Sequence, residues 1–361
     1  TAAAFRDGAA GFAVSVRTYC IGSAYRVIAM GMSSEVSDTE DGSGTAGATA
    51  TRAIVIGGPT ASGKSALAVD LAEALGGTVI NADSMQVYRE LEIITARPDP
   101  ADLERAPHRL YGFLGAAEVC SAALWREHAL AEIREAARAG RVPILCGGTG
   151  LYLRALTHGL SEMPEVSPEV RAEARRLHAE VGGAALRQKL AEGDPVLAAR
   201  LHDGDSQRLI RAWEVLQETG QPLSAWQERP AEPPEGINFF TVTLLPERAS
   251  LYRSCDVRFE KMLERGASEE VEALMALNLD PALPAMKALG VPQLIELING
   301  NMAREECVRI AQRDTRRYAK RQMTWFRNQV HANFTLCEQY SERSDRRIFK
   351  NIRQFLLTGH I

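Results

Sequence analysis

One eight-residue run constrains this chain more than any other feature. Residues 58–65 read GPTASGKS and fit the pattern G-x-x-x-x-G-K-[ST] without deviation. An apolar stretch at 53–56 precedes the run, and leucines at helical spacing follow it at Leu67, Leu71 and Leu75. In this strand–loop–helix context the glycines let backbone N–H groups turn inward toward phosphate oxygens. The run therefore predicts a phosphorylated ligand in a parallel α/β fold, although it does not identify the reaction.

The chemistry of this phosphate loop, residues 58–65, gives its residues separate roles. Lys64 supplies a full positive charge, the start of the following helix adds about half a charge, and Ser65 can offer its hydroxyl to Mg²⁺. We therefore expect Mg²⁺ as the cofactor, with Ser65 as its protein ligand. The predicted phosphate-binding residues are Gly58, Pro59, Thr60, Ala61, Ser62, Gly63, Lys64 and Ser65.

The pattern after the loop predicts a sheet with crossover helices. Strands are expected at 78–81 and 142–146, and residues 109–114 are a further candidate. Ser121 is the expected cap of a helix that runs to about residue 138. Strands that alternate with helices and glycine turns are typical of a parallel α/β sheet. No convincing strand appears between about residue 160 and the apolar run 239–245, so we predict a helical insertion there.

These patterns divide the chain into five predicted parts. Residues 33–51 are nearly all Ser, Thr, Gly, Ala and acids, and residues 1–32 hold three arginines and one acid. Residues 1–51 are expected to be a disordered, non-native extension and linker, with a weak organelle-targeting peptide in 1–32 as the alternative. The core is expected at 52–159 and 236–335, with the insertion at 160–235. Residues 336–361 are expected to form a helical tail.

Composition excludes several classes of protein. The chain has 361 residues, a net charge of −4 and 45% hydrophobic residues, which are ordinary values for a globular protein. No window approaches the roughly 18 apolar residues of a membrane span. The six cysteines contain no C-x-x-C pair, which argues against a zinc knuckle. We therefore expect a cytoplasmic monomer with inert thiols and no membrane partner.

Asp83 follows the second predicted strand directly. The carboxyl ends of parallel strands face the ligand crevice, so this carboxylate is expected near the phosphate loop. It could serve as a general base or as a water-mediated Mg²⁺ contact, and the alternative is a helix cap.

A basic segment near the end of the predicted core stands out from the acidic remainder. Residues 309–327 contain seven basic residues and a single acid, Asp314. Five of them fall on one face of a predicted helix, which favours contact with a nucleic acid over a solvated surface. These five are Arg309, Arg313, Arg316, Arg317 and Lys320.

Several runs together resemble the tRNA dimethylallyltransferases. Beside GPTASGKS, the chain contains NADSMQVYRELEIITARP, PHRLYGF, ILCGGTGLYLRAL, DSQRLIRAWEVLQETGQPLS and KRQMTWFRNQ in the order expected for that family. The resemblance covers about residues 52–335 and rests mainly on the joint occurrence of DSMQVY, GGTGLY and KRQMTWFR. It implies a P-loop NTPase-like core with a helical insertion domain.

The resemblance implies an alkyl transfer. The family moves a dimethylallyl group from dimethylallyl diphosphate to N6 of the adenine 3′ of the anticodon, in tRNAs that read codons beginning with U. By this similarity Asp83 would be the base, while Lys64 and Arg248 would stabilise the diphosphate. The partners would be dimethylallyl diphosphate and the anticodon stem-loop of tRNA.

The same similarity assigns residues to the tRNA. Those that would border or contact it are Asp83, Ser84, Met85, Gln86, Thr149, Arg171, Gln207, Arg208, Leu209, Ile210, Arg211, Lys287, Lys320, Arg321, Gln322, Trp325 and Arg327.

Three other functions remain open at this point. The phosphate loop would also serve a small-molecule kinase or an adenylate isopentenyltransferase of the cytokinin-forming type. A non-enzymatic RNA-binding module that uses nucleotide as a switch is the third.

Overall fold

A computed structural model describes residues 50–341, Ser344 and residues 346–359. Residues 1–49, which make up nearly all of the predicted extension, lie outside the described residues. Thr51, which the sequence assigned to that extension, is already part of the first strand. None of the helices between residues 50 and 359 combines the length and the hydropathy that a membrane crossing requires.

A parallel sheet forms the centre of the described chain. Its strands are β1 Thr51–Gly57, β2 Gly77–Asn81, β3 His108–Arg109, β4 Val142–Gly147, β5 Ile237–Leu244 and β6 Phe334–Leu336. They run in the order β3-β2-β4-β1-β5-β6, and every pairing is parallel. The strand that precedes the phosphate loop, β1, is therefore central, with β4 on one side and β5 on the other.

The helices connect these strands and extend the chain beyond them. Those of the first half of the core are α1 Lys64–Leu75, α2 Pro100–Arg105, α3 Ala122–Arg138 and α4 Gly150–His158. Those of the insertion are α5 Pro168–Gly193, α6 Pro195–Arg200, α7 Ser206–Thr219 and α8 Leu223–Gln227. The rest are α9 Arg248–Glu264, α10 Ala267–Ala276, a 3₁₀ turn Ala285–Lys287, α11 Val291–Ile298, α12 Arg304–Gln329 and α13 Arg347–Thr358.

Alternation along β1 builds a core on each face of the sheet. Ala53 and Val55 belong to the cluster that packs under α3, α4 and α9–α12. Ile54 and Ile56 belong to the cluster under α1 and α13. Because successive side chains of a strand point to opposite faces, a strand buried on both sides reads as the continuous apolar run seen in the sequence.

The insertion has a hydrophobic core of its own. Its buried side chains come from α5 to α8 and from Val166. Asp194 is fully buried, and its carboxylate accepts hydrogen bonds from the backbone N–H of Leu197 at 3.0 Å and of Ser224 at 2.9 Å. One side chain thus caps α6 and ties it to α8. The α/β core with a helical insertion domain, as predicted, is confirmed.

Two parts of the sheet differ from the sequence prediction. The strand proposed at 109–114 shrinks to His108–Arg109, because Leu110 takes a left-handed backbone with φ of 61° and breaks the ladder. At the opposite edge, β6 was not predicted. Its three residues carry too little pattern to be recognised, and it forms only by pairing with β5.

Gly147 allows the ends of β2 and β4 to meet. A Cβ at this position would lie 2.0 Å from the carbonyl oxygen of Ala82, the residue before Asp83. Replacing Gly147 with Ala must push β2 and β4 apart where they carry the candidate site. We expect Gly147→Ala to lower the free energy of unfolding by about 2–3 kcal/mol, as measured by urea denaturation.

Gly204 provides the matched control, because a Cβ there meets nothing within 4 Å and its backbone is not left-handed. Gly204→Ala is expected to leave the free energy of unfolding within about 0.5 kcal/mol of the parent. Equal stability of the two variants would contradict the close approach of the strands.

Candidate active site

The phosphate loop joins β1 to α1 and holds its lysine inward. Gly63 adopts a left-handed conformation with φ of 90° immediately before the helix, and Lys64 Nζ donates a hydrogen bond to Pro59 O at 2.9 Å. Burial lowers the pKa of the Lys64 ammonium below its usual range, while Cys146 and the Asp83 carboxylate oppose that shift. Ser62 Oγ is buried and finds no hydrogen-bond partner among the described residues. The loop therefore keeps polar groups ready for a ligand.

A second cation reaches the loop from α9. The guanidinium of Arg258 donates a hydrogen bond to Thr60 Oγ1. Burial lowers the pKa of this guanidinium, and Cys255 and Asp83 oppose the shift. The charge of Arg258 also lowers the pKa of Lys64, so the two cations repel each other. Two like charges in a partly buried site are costly, and an anionic ligand between them would relieve that cost.

The structure does not bring Arg248 to this place. Arg248 is exposed and is the first residue of α9, ten residues before Arg258. At 1.5 Å per residue, the two lie about 15 Å apart along the helix. Because α9 passes the phosphate loop near its third turn, the prediction that Arg248 contacts the diphosphate is wrong. Arg258 continues the helical spacing of the buried Leu251 and Cys255. An arginine on the apolar face of a helix indicates a partly buried functional charge, and the sequence did contain this signal.

Asp83 is held in a fixed orientation at the end of β2. Its backbone N–H donates to Asn81 Oδ1 at 2.8 Å, and its carbonyl accepts from Asn81 Nδ2 at 3.0 Å. One carboxylate oxygen, Oδ1, accepts the backbone N–H of Met85 at 2.9 Å. Within the described residues the other oxygen accepts no hydrogen bond, so it is available to a ligand. The helix-cap alternative is wrong, since no α-helix begins between Asp83 and Asp99.

Asp83 lies close enough to the phosphate loop to interact with its charges. The Asp83 charge acts on Lys64 and Arg258, and also on Tyr111 and Tyr318, where burial is the largest cause of a raised pKa and Asp83 adds to it. Since β4 separates β2 from β1, this convergence occurs at the carboxyl edge of the sheet rather than between neighbouring strands. We call this group of one carboxylate and two cations, with the phosphate loop, the pocket.

Cys146 and Ser65 lie in the same pocket. Burial raises the pKa of the Cys146 thiol to about 11, so the thiol stays protonated at neutral pH. Its hydrogen-bond partner is the hydroxyl of Ser65, the predicted Mg²⁺ ligand. Oxygen donors from Ser65 and Asp83 suit Mg²⁺, which usually takes one or two protein ligands together with substrate phosphates and water.

The turn after β4 links the loops on either side of it. Thr149 Oγ1 accepts the backbone N–H of Ser84 at 2.9 Å and donates to Ser84 Oγ at 3.2 Å. On the other side, Gln322 of α12 accepts the Thr60 N–H at 2.8 Å and donates to Gly148 O at 2.9 Å. Gln322 is buried with both ends of its amide bonded, so the prediction that it contacts tRNA is wrong.

A loop at residues 91–98 forms another wall beside Asp83. Gln86 Nε2 donates to the carbonyls of Thr95 and Ala96, each at 2.9 Å. Glu270 of α10 accepts three backbone N–H groups of this loop at 2.6, 2.7 and 2.9 Å. Sequence reasoning missed Glu270, which lies in no motif and meets the loop only in the folded chain.

The basic face predicted on α12 is largely neutralised. Arg309 pairs with Glu306, Arg316 pairs with Asp256 of α9, and Arg313 and Arg317 both pair with Asp314. Glu306 lies one turn before the basic segment 309–327, and Asp256 lies on another helix. Lys320, Arg321 and Arg327 are exposed, with no carboxylate partner among the described residues.

The remaining predicted tRNA contacts differ in their exposure to solvent. Those that are exposed are Arg171, Gln207, Arg208 and Lys287. Leu209 is fully buried in the insertion core, so the prediction that its side chain contacts tRNA is wrong.

The other residues of this set are partly buried. Ile210 packs on the insertion core, and Arg211 is bonded to Glu214 and to Pro164 O. Trp325 packs against the core, and a Cβ on Gly150 would lie 2.3 Å from its ring. Met85 packs on the same core at the edge of the pocket.

Comparison with known proteins gives a consistent family likeness. The model of the IPP transferase family matches residues 86–329. The tRNA dimethylallyltransferase of Rhodospirillum centenum is 57% identical over 280 residues, which are 77% of this chain and 89% of that protein. The tRNA dimethylallyltransferase of Paramagnetospirillum magneticum is 51% identical over 311 residues, which are 86% of this chain and 99% of that protein.

Solved structures agree with this likeness. The crystal structure of the tRNA isopentenylpyrophosphate transferase of Bacillus halodurans matches with a TM-score of 0.60 at 33% identity, covering 85% of this chain and 95% of that one. A eukaryotic dimethylallyltransferase, described as acting on tRNA, matches with a TM-score of 0.71 at 23% identity, covering 86% and 80% of the two chains. The second match supports the fold alone.

The two arginines of α9 give a test of the pocket. We expect Arg258→Gln to weaken the binding of inorganic pyrophosphate about 10- to 100-fold, because it removes a buried charge from the phosphate loop. The affinity is measured by isothermal titration calorimetry. Arg248→Gln is the matched control on the same helix, and we expect it to leave the affinity unchanged. A larger effect in the Arg248 variant would restore the assignment made from the sequence.

Proposed function

Because this chain belongs to the IPP transferase family, we propose that it transfers a dimethylallyl group from dimethylallyl diphosphate to N6 of the adenine 3′ of the anticodon in tRNAs that read codons beginning with U. The observation that carries the proposal is the convergence of the Asp83 carboxylate with the cations of Lys64 and Arg258, whose charges interact with it. The names of the related proteins support the same substrate pair.

The chemistry requires opposite charges at opposite ends of the reacting carbon. The exocyclic amine of adenine is a weak nucleophile, because its lone pair is delocalised into the ring. A carboxylate within hydrogen-bond reach takes the N6 proton while the new C–N bond forms. The C–O bond of the allylic diphosphate breaks at the same carbon, and its electron pair leaves with the diphosphate. Lys64, Arg258 and the loop amides stabilise that leaving group without rearranging.

We also propose Mg²⁺ as the cofactor. The hydroxyl of Ser65 would hold it together with diphosphate oxygens, and the free oxygen of Asp83 could take part through water. When bound, it would neutralise charge on the leaving diphosphate.

The target base has to leave its stack to reach this pocket. Extruding a nucleotide costs a few kcal/mol, which contacts elsewhere on the RNA must offset. Polar and basic side chains that reach the surface are available on the insertion, at Arg171, Gln207 and Arg208, and on α12, at Lys320, Arg321 and Arg327. We propose that these two surfaces bind the anticodon stem-loop.

Removing the carboxylate tests the proposed base. We expect Asp83→Asn to lower turnover on an anticodon stem-loop by roughly 10²- to 10⁴-fold, while the affinity for that RNA stays nearly intact. The product is detected by mass analysis of nucleosides after incubation with dimethylallyl diphosphate. Asp99→Asn is the control, because Asp99 caps α2 and Asn caps equally well.

The same assay separates the other functions. Faster prenylation of AMP than of the stem-loop would identify an adenylate isopentenyltransferase. Phosphoryl transfer from ATP without any prenylated base would identify a kinase. Unchanged turnover in Asp83→Asn would remove the base assignment.

The ion pairs on α12 predict which cations contact RNA. We expect Lys320→Gln combined with Arg327→Gln to reduce the salt slope of stem-loop binding by up to about 0.7–0.9 log units for each phosphate that these side chains neutralise. Arg309→Gln combined with Arg313→Gln removes the same charge from positions already paired with acids, and should change the slope much less. The slope is measured by fluorescence anisotropy at several salt concentrations, and equal effects of the two double variants would count against this placement.

A further inference from the structure

One polar side chain of α12 points into the core. Gln322 is buried, and its amide joins Thr60 N–H of the phosphate loop to Gly148 O of the turn after β4. This single side chain therefore contacts two of the three loops at the carboxyl edge of the sheet.

Thr149 extends the contacts to the third loop. Its hydroxyl accepts the N–H of Ser84, the residue after Asp83, at 2.9 Å. Hydrogen bonds thus connect Thr60 to Gly148 through Gln322, and they connect Thr149, the next residue along the chain, to Ser84. Together they join the loop that holds the leaving group to the loop that carries the base, although β1 and β2 do not pair with each other.

Thr60 is held from two sides by this arrangement. Its N–H is bonded to Gln322 and its hydroxyl to Arg258. A side chain at position 148 would also collide with the amide, since a Cβ on Gly148 would lie 2.3 Å from Gln322 Nε2. The amide therefore fits a close-packed space between the two loops, where a small displacement would change their separation.

We propose that Gln322 is a positioning residue that fixes the phosphate loop relative to Asp83 and so sets the geometry of the transfer. The proposal rests on the proposed function and adds a role that differs from tRNA contact. A misplacement of about 1 Å at a reacting centre can cost about 10²-fold in rate. Substrates would still bind, because Gln322 supplies no charge to the pocket.

The test replaces Gln322 with a side chain of equal length that lacks hydrogen bonds. We expect Gln322→Met to lower the single-turnover rate at saturating substrates about 10- to 100-fold. The dissociation constant for the anticodon stem-loop and its salt slope should change less than about 2-fold, because the side chain is buried. Thermal melting checks that the variant is folded.

Gln312 supplies the matched control on the same helix. Its amide also ties α12 to another element, α9, through Asp256 O at 3.3 Å and Glu260 at 3.1 Å, but it does not touch the phosphate loop. Gln312→Met should retain the parent rate. An equal reduction in both variants would mean that general anchoring of α12 matters, which would overturn the specific role of Gln322.

A second variant keeps the test decisive if Gln322→Met does not fold. Gln322→Asn keeps the amide but shortens the side chain by one methylene, so it cannot reach both Thr60 N–H and Gly148 O, and it is expected to slow the single-turnover rate with unchanged stem-loop affinity. A normal rate in the folded variants would overturn the proposal. So would weaker stem-loop binding with a normal rate at saturation, since that pattern belongs to an RNA contact. An unmodified stem-loop with the parent protein would instead contradict the proposed function itself.

Discussion

The structure depends on placing one carboxylate and two cations together in a partly buried site. Asp83, Lys64 and Arg258 interact electrostatically, and burial lowers the pKa of both cations. Such a group is expensive to assemble, because buried charges lose hydration and the two cations repel each other. The cost is reduced when an anion such as a diphosphate enters. The pocket is thus built for a ligand that carries the negative charge it lacks.

The surrounding fold can be understood as support for that group. The central place of β1 brings the phosphate loop to the carboxyl edge of the sheet, while Gly147 lets the end of β2 approach across β4. Helix α9 delivers Arg258, and α12 seals the pocket from the other side with Gln322. Four arginines of α12 are engaged in ion pairs, one of which, Arg316 with Asp256, ties the helix to α9, while the basic residues of its last turns stay exposed.

Features that depend on neighbouring residues in the chain could be predicted from the sequence, whereas features that depend on contacts between distant residues could not. The phosphate loop, β1, α1 and the capped helix α3 were predictable, because spacing, caps and glycine turns act over a few residues. Asp83 was predictable from the rule that parallel strands end at one edge. Arg258 meets Thr60 across 198 positions, Gln322 meets Thr60 across 262, and Glu270 meets its loop across 176 or more. No local pattern carries such pairings, and the family resemblance therefore led to Arg248 rather than to Arg258.

A phosphate loop by itself does not select the chemistry of this site. Such a loop stabilises a departing diphosphate in the same way whether the bond that breaks lies at phosphorus or at an allylic carbon, since the charge that develops is the same. The difference arises beside the loop, where the Asp83 carboxylate interacts electrostatically with Lys64 and one of its oxygens accepts no hydrogen bond from the described residues. A carboxylate there suits removal of a proton from a weakly nucleophilic amine. The type of reaction therefore depends on the loop after β2, which carries Asp83. It also depends on the hydrogen bonds of Thr149 and Gln322, which hold that loop in place relative to the phosphate loop.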